Sequence, residues 1–204
     1  MIEIMDNLYH DKYRDARWIE TSAVRMIEKM RQKGASLEEA SNALKDDPRV
    51  ALIALEEDGA NLKYTSVRFR SDYWYVYTAL KTDGLAIKYA LGELRYNKNL
   101  FLKAVKQTGL ALELAPNELK NAPEVVLAAV SQNGLALKFA SKELQANDEI
   151  VEAAVSQNGK ALKFASDLSK NDSVIALSKQ GLFSHSVTFK RPVLAESPSN
   201  SFQK

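Results

Sequence analysis

The 204-residue chain contains no cysteine, which excludes disulfides and thiolate metal ligands and leaves no trace of the redox compartment. Histidine is almost missing too: His10 and His185 stand alone, one in each end segment. An excess of one charge is lacking, since 28 Lys and Arg face 26 Asp and Glu for a net charge of +2. No global field therefore draws the molecule to nucleic acid or an anionic membrane, and any charge-driven binding is local. Apolar runs such as Val125–Val130 are far shorter than the roughly 20 residues a bilayer-spanning helix needs. The opening MIEIMDNLYHDKYRD carries acids inside its first apolar group and lacks the basic start and small-residue cleavage site of a secretory signal. A soluble, cytoplasmic protein without membrane insertion is expected.

Glycine is scarce, but its placement is regular. Gly34, Gly59, Gly84, Gly109, Gly134 and Gly159 are 25 residues apart, Gly181 follows after 22, and of the eight glycines only Gly92 falls between. The stretch PEVVLAAVSQNGLALKFASKELQAN from Pro123 to Asn147 is followed at once by its near copy IVEAAVSQNGKALKFASDLSKN. A fixed period of this length marks a repeat architecture, in which each unit buries its apolar face only against its neighbours.

Each unit can be decoded from its glycine. Twelve residues earlier stand Ser22, Asp47, Asp72, Asn97, Ala122 and Asn147, and five of these six are helix-capping types. Pro48 and Pro123 follow at the first helical position, where a missing N–H costs nothing. Apolar pairs then recur at helical spacing, as in Val50, Ala51, Ala54 and Leu55 or Val125, Val126, Ala129 and Val130. The glycine is expected to end this helix in a left-handed conformation. Beyond it a second stripe, such as Leu137, Ala140 and Leu144, predicts another helix. Ser41, Ser66, Ser141 and Ser166, replaced once by Pro116, predict a break there and a short extra turn. The expected fold is all-α: an α-solenoid of six 25-residue helical hairpins over 22–182, a capping segment at 1–21 and a flexible, serine-rich tail at 183–204. Gly92, Pro116 and the aromatic second and third units depart from strict regularity.

The wording VVLAAVSQNGLALKFASKELQAN resembles the helical repeat family called domain of unknown function 4116, in which an AVxQNGxALxxAS core recurs. The likeness is close around Gly134 and Gly159, fair around Gly84 and Gly109, and looser around Gly34 and Gly59. Members occur in secreted effectors of intracellular bacterial pathogens, so the resemblance implies an effector, or an effector's regulator, exported into a host cell. The serine-rich C-terminus with Glu196 is similar to the export signals of type IV secreted effectors.

Chemistry is hard to find. His10-Asp11 and Ser184-His185-Ser186 are isolated groupings, and neither metal-ligand spacing nor a phosphate loop is present. Glu93, Glu118 and Glu143 recur nine residues after the glycine, as a repeated surface position would. Lys63, Lys88, Lys138 and Lys163 form a row at plus four, and Lys45, Arg70, Arg95 and Lys120 another at plus eleven. No catalytic residue, metal site or cofactor is expected.

The sharpest irregularity is RFRSDYWYVY from Arg68 to Tyr77. Phe69 and Tyr75 fall on core positions, whereas Trp74 replaces Val24, Arg49, Asn99, Glu124 and Glu149, and Tyr73 replaces Pro48, Lys98, Pro123 and Asp148. Tyr96 likewise replaces Asp46, Ser71 and Asn121. Tyr73, Trp74 and Tyr96 beside Arg68, Arg70 and Arg95 have the composition of an interface hot spot. The reading is a non-enzymatic scaffold, monomeric or weakly oligomeric, that binds a protein partner there. Nucleic-acid binding along the basic rows is the alternative, and an enzyme with an unrecognised carboxylate site the second.

Overall fold

A computed structural model describes residues 17–33 and 36–166, which form helices and connecting turns with no strand among them. The expected end segments 1–21 and 183–204 and the end of the expected array, from residue 167 to 182, lie outside the described residues, apart from the start of the first helix. That helix, α1 (Arg17–Lys33), runs straight through Ser22, so Ser22 does not cap a helix as its spacing suggested.

The chain then repeats one sequence of elements. α1 is followed by a 3-10 turn (Leu37–Glu39) and one-turn α2 (Asn42–Lys45). α3 (Pro48–Glu57), a 3-10 helix (Gly59–Tyr64) and α4 (Val67–Arg70) come next. α5 (Tyr73–Ala79) precedes two 3-10 helices, Gly84–Tyr89 and Gly92–Tyr96. α6 (Lys98–Gln107), a 3-10 helix (Gly109–Leu114) and α7 (Asn117–Lys120) follow. α8 (Pro123–Gln132), Gly134–Phe139 and α9 (Lys142–Gln145) make the next group, and α10 (Asp148–Gln157) with Gly159–Phe164 the last.

Local chemistry explains the helix starts. The side chains of Asp47, Asp72, Asn97 and Asn147 accept from backbone N–H groups in the first turns of α3, α5, α6 and α10, satisfying donors that have no intrahelical partner. Ala122 occupies the same place before α8 and cannot. Ala122→Asn is therefore expected to stabilise the protein by about 1 kcal/mol, read as a rise in denaturant midpoint at constant slope.

The expected apolar stripes pack inward. Val50, Ala51 and Leu55 are fully buried, as are Val105, Val126, Ala129, Val130 and Val151. α6 packs on α8 and α8 on α10, so each helix covers the apolar face of the next. The segment after Gly59, Gly84, Gly109, Gly134 and Gly159 differs from expectation, because it is a 3-10 helix of six residues and not an α-helix, and after Gly34 it is a 3-10 turn of three. It stops at the predicted break. The one-turn helix after the break carries Phe69, Leu119 or Leu144 into the core.

The role assigned to the glycines also needs correction. Gly92 is the one glycine with positive φ among the described residues, at +59°. α3, α6, α8 and α10 end instead on the extended residues Asp58, Thr108, Asn133 and Asn158, α5 ends on Leu80 in a right-handed helical conformation, and the glycine then opens the 3-10 helix. Close approach is what demands glycine. A Cβ would lie 2.1 Å from the Ala79 carbonyl oxygen at Gly59, 2.4 Å from Ala104 O at Gly84, 2.4 Å from Ala129 O at Gly109 and 2.2 Å from Ala154 O at Gly134. Each glycine thus seats one unit against the long helix of the next.

The neighbouring Gln and Asn complete this joint. Gly109 N–H donates to Gln132 Oε1 and Gly134 N–H to Gln157 Oε1, both at 2.6 Å, while Gln132 and Gln157 Nε2 donate back to the carbonyls of Gln107 and Gln132. Asn133 and Asn158 accept from the N–H groups of Leu135 and Lys160, capping the 3-10 helices. Gln-Asn-Gly is therefore a stacking device: a bridge to the next unit, a cap and a point of contact. A second bridge runs from the N–H seven residues after the glycine to the preceding unit, as in Ser66 to Lys45 O, Leu91 to Arg70 O, Ser141 to Lys120 O and Ser166 to Gln145 O. Pro116 has no N–H to give, so this bridge is missing at its joint.

Candidate interaction surface

The departure from the repeat pattern begins with a normal cap. Asp72 Oδ1 accepts from Trp74 N–H at 2.8 Å and Tyr75 N–H at 3.4 Å, which sets the phase of α5. Tyr75, Val76 and Ala79 consequently point into the core at 6, 0 and 0% exposure. Phe69 stacks on Tyr75 with ring centroids 4.3 Å apart, so both are packing residues as their register predicted.

On the outer side of α5, Trp74 is 53% exposed and forms an aromatic group with half-buried Tyr73 and Tyr77. Trp74 meets Tyr73 edge-on at 5.5 Å and Tyr77 edge-on at 6.1 Å, while Tyr73 and Tyr77 lie nearly parallel at 6.1 Å. Edge-to-face and offset-parallel arrangements are those the ring quadrupole favours. The ammonium groups of Lys81 and of Lys103 on α6 lie 5.8 and 5.5 Å from the Tyr77 ring centre. Two consecutive long helices therefore share this patch.

The six residues singled out in the sequence do not form one cluster. Tyr73 and Trp74 touch. Arg68 turns away to the preceding unit, where its Nη2 donates to Asp46 O at 2.8 Å and lies 3.4 Å from the Asp46 carboxylate, with its guanidinium over the Phe69 ring. Arg70 is half-buried, with its Nε shielded from solvent and without a hydrogen-bond partner. Arg95 is exposed, and Tyr96, 67% exposed, makes no ring contact with Trp74 among the described residues. Tyr96 stands at the junction into α6. Sequence reasoning passed over Tyr77, Lys81 and Lys103. Their signal was available for Tyr77 alone, four residues after Tyr73 and three after Trp74 on one helix. Lys103 depends on how α6 packs.

Elsewhere the surface is orderly. Lys63, Lys88, Lys138 and Lys163 each lie 4.3–4.8 Å over the adjacent ring of Tyr64, Tyr89, Phe139 or Phe164. Glu113 and Leu114 interrupt this row. Lys63 is held more basic than usual, chiefly by its hydrogen bond with Tyr64. Glu124 is held below the ordinary carboxylate range by its hydrogen bond and ion pair with Lys98. Glu143 is likewise lowered, by its own backbone N–H and then by Ser141. Among the described residues no three of His, Cys, Asp and Glu converge in a way that could hold a metal, and no helix is long and apolar enough to cross a membrane.

No curated protein and no solved structure matches the chain. A family model matches twice, over residues 75–120 and 123–169. Each match covers nearly all of two glycine-bearing units, around Gly84 and Gly109, where the likeness of wording is fair, and then around Gly134 and Gly159, where it is close. The family is described as Domain of unknown function (DUF4116), and its two successive matches are consistent with tandem repeats of that family.

Proposed function

We propose that this protein is a non-enzymatic interaction scaffold: an α-solenoid of six 25-residue units that grips a protein partner through the aromatic face of α5 and its surroundings. The observation that carries this reading is the solvent-exposed Trp74, supported by Tyr73 and Tyr77 and standing where four of the five other units carry Arg49, Asn99, Glu124 or Glu149. Tryptophan and tyrosine gain most when covered, because large rigid rings bury much area at little entropic cost. Tyr96 and Arg95 are exposed at the next junction, where they are open to the same partner. Action inside a host cell, as an exported effector or a regulator of one, fits the resemblance of the repeats.

Nucleic-acid binding is the second reading, favoured by the lysines lying over Tyr64, Tyr89, Phe139 and Phe164, since flat rings in a basic track suit stacked bases. The test is capture from a host-cell lysate, with and without nuclease, comparing wild type with Trp74→Ala and Tyr73→Ala/Trp74→Ala. Trp74→Ala is expected to move stability by less than about 1 kcal/mol while abolishing retention of the protein partner. Nuclease-sensitive capture that survives both substitutions would favour the second reading, and unfolding of Trp74→Ala would demote the ring to packing.

A further inference from the structure

The long helices differ sharply in the charge they present. α5 has no charged residue, and Lys81 follows its last turn. α6 carries Lys98, Lys103 and Lys106 and no acid. α8 and α10 reverse this, with Glu124 on the first and Asp148, Glu149 and Glu152 on the second, and no base on either. On the other side α3 ends in exposed Glu56 and Glu57. Lys98 is neutralised by its ion pair with Glu124. Lys81, Lys103 and Lys106 form no ion pair with any carboxylate among the described residues, and two of them lie against the ring of Tyr77. The aromatic group is thus edged by Lys81 and Lys103, with Lys106 one turn beyond Lys103 and sharing Glu124 with Lys98, and it is flanked by helices that carry acids.

We infer that the α5–α6 face binds a short acidic segment of a protein partner, with an aromatic or leucine anchor seated on Tyr73, Trp74 and Tyr77 and carboxylates meeting Lys81, Lys103 and Lys106. This inference rests on the scaffold reading above and adds the chemistry of the partner. An apolar anchor alone would leave Lys81 and Lys103 facing the partner without a counter-charge, and Lys106 with only the Glu124 that Lys98 already pairs, whereas an acidic segment supplies a carboxylate for each. The footprint is short because the flanks repel it: Glu56 and Glu57 on one side, and Asp148, Glu149 and Glu152 on the other, disfavour further carboxylates. The same flanks argue against a nucleic-acid strand, whose evenly spaced phosphates would run past the patch into acidic helices in either direction.

The probe is a random twelve-residue peptide library displayed on phage, selected on the wild-type protein and counter-selected on Trp74→Ala. Enriched peptides are expected to be rich in Asp and Glu around an aromatic residue or leucine. The best of them, synthesised, should bind about tenfold more weakly to Lys103→Gln/Lys106→Gln and weaken steadily with salt. Lys106→Glu, at an exposed position, gives the same readout should the double variant fold poorly. Neutral peptides that depend on Trp74 but not on the lysines would overturn the inference and leave the scaffold reading standing. Basic peptides or no enrichment would overturn it, as would displacement of the peptide by equimolar oligothymidylate, and self-association of the chain through its acidic helices would overturn it in favour of a second copy.

Discussion

Gly134→Ala is expected to destabilise the protein by about 3 kcal/mol, a large effect for adding one methyl group. The new Cβ would stand 2.2 Å from the Ala154 carbonyl oxygen and 3.1 Å from both Ala154 C and Gln157 Oε1. Two of these three atoms are backbone in the body of α10, so relief requires the whole helix to move outward. That movement would stretch the 2.6 Å bond from Gly134 N–H to Gln157 and open the contact between α8 and α10. Urea unfolding compares wild type, Gly134→Ala and Gly92→Ala. A methyl group at Gly92 would meet nothing within 4 Å, and its cost comes only from φ at +59°. The Gly92→Ala variant should lose about 1 kcal/mol. Equal losses at the two sites would mean that close approach is not what the periodic glycines provide.

Phe101→Ala is expected to cost about 3–5 kcal/mol, the usual range for truncating a buried aromatic ring. Phe101 is 2% exposed in the main core, in a place where the other units carry Ala51, Val76, Val126 and Val151, all fully buried. Its ring fills more volume than any counterpart, and its surroundings include α5 on one side and α8 on the other. Removing it leaves a cavity that neighbours held by inter-unit hydrogen bonds cannot close. Calorimetry should show a single transition at lower temperature. A loss under about 1 kcal/mol would mean that the stack collapses freely around the gap, contrary to close packing in interiors.

Much of this architecture was legible in the chain because the physics that sets it is local and repeated. Asp47, Asp72, Asn97 and Asn147 announced helix starts, since a capping oxygen needs only the N–H groups two or three residues ahead. Ser41, Ser66 and Ser141 announced the break before the last turn, and the apolar spacing announced which faces are buried. Ser22 misled because serine, though favoured at a helix start, is tolerated at small cost inside a helix that begins earlier.

The glycines misled for a different reason. A helix followed by glycine usually ends in a left-handed turn, but α3, α6, α8 and α10 end on an extended Asp, Asn or Thr, and the glycine is needed for an atom 20 residues away, such as Ala154 O. Six-residue segments such as GLALKF could be read as helical by spacing, yet not as 3-10, because periods of 3.0 and 3.6 diverge little over so short a length. The candidate surface divides along the same line. Trp74 and Tyr73 stood out against their counterparts in the other units, while the absence of Arg68 from their group and the arrival of Lys103 follow from side chains crossing between units.

The sequence by itself determined the 25-residue period, the helix starts, the buried stripes and the unit in which regularity fails, because each depends on residues within a few turns of one another. Tertiary structure decided what the Gln-Asn-Gly signature is for, which form the second segment takes and which side chains share a surface. Those depend on the distance between successive units, set by a carbonyl pressed against a bare Cα, and no reading of a single unit contains that distance.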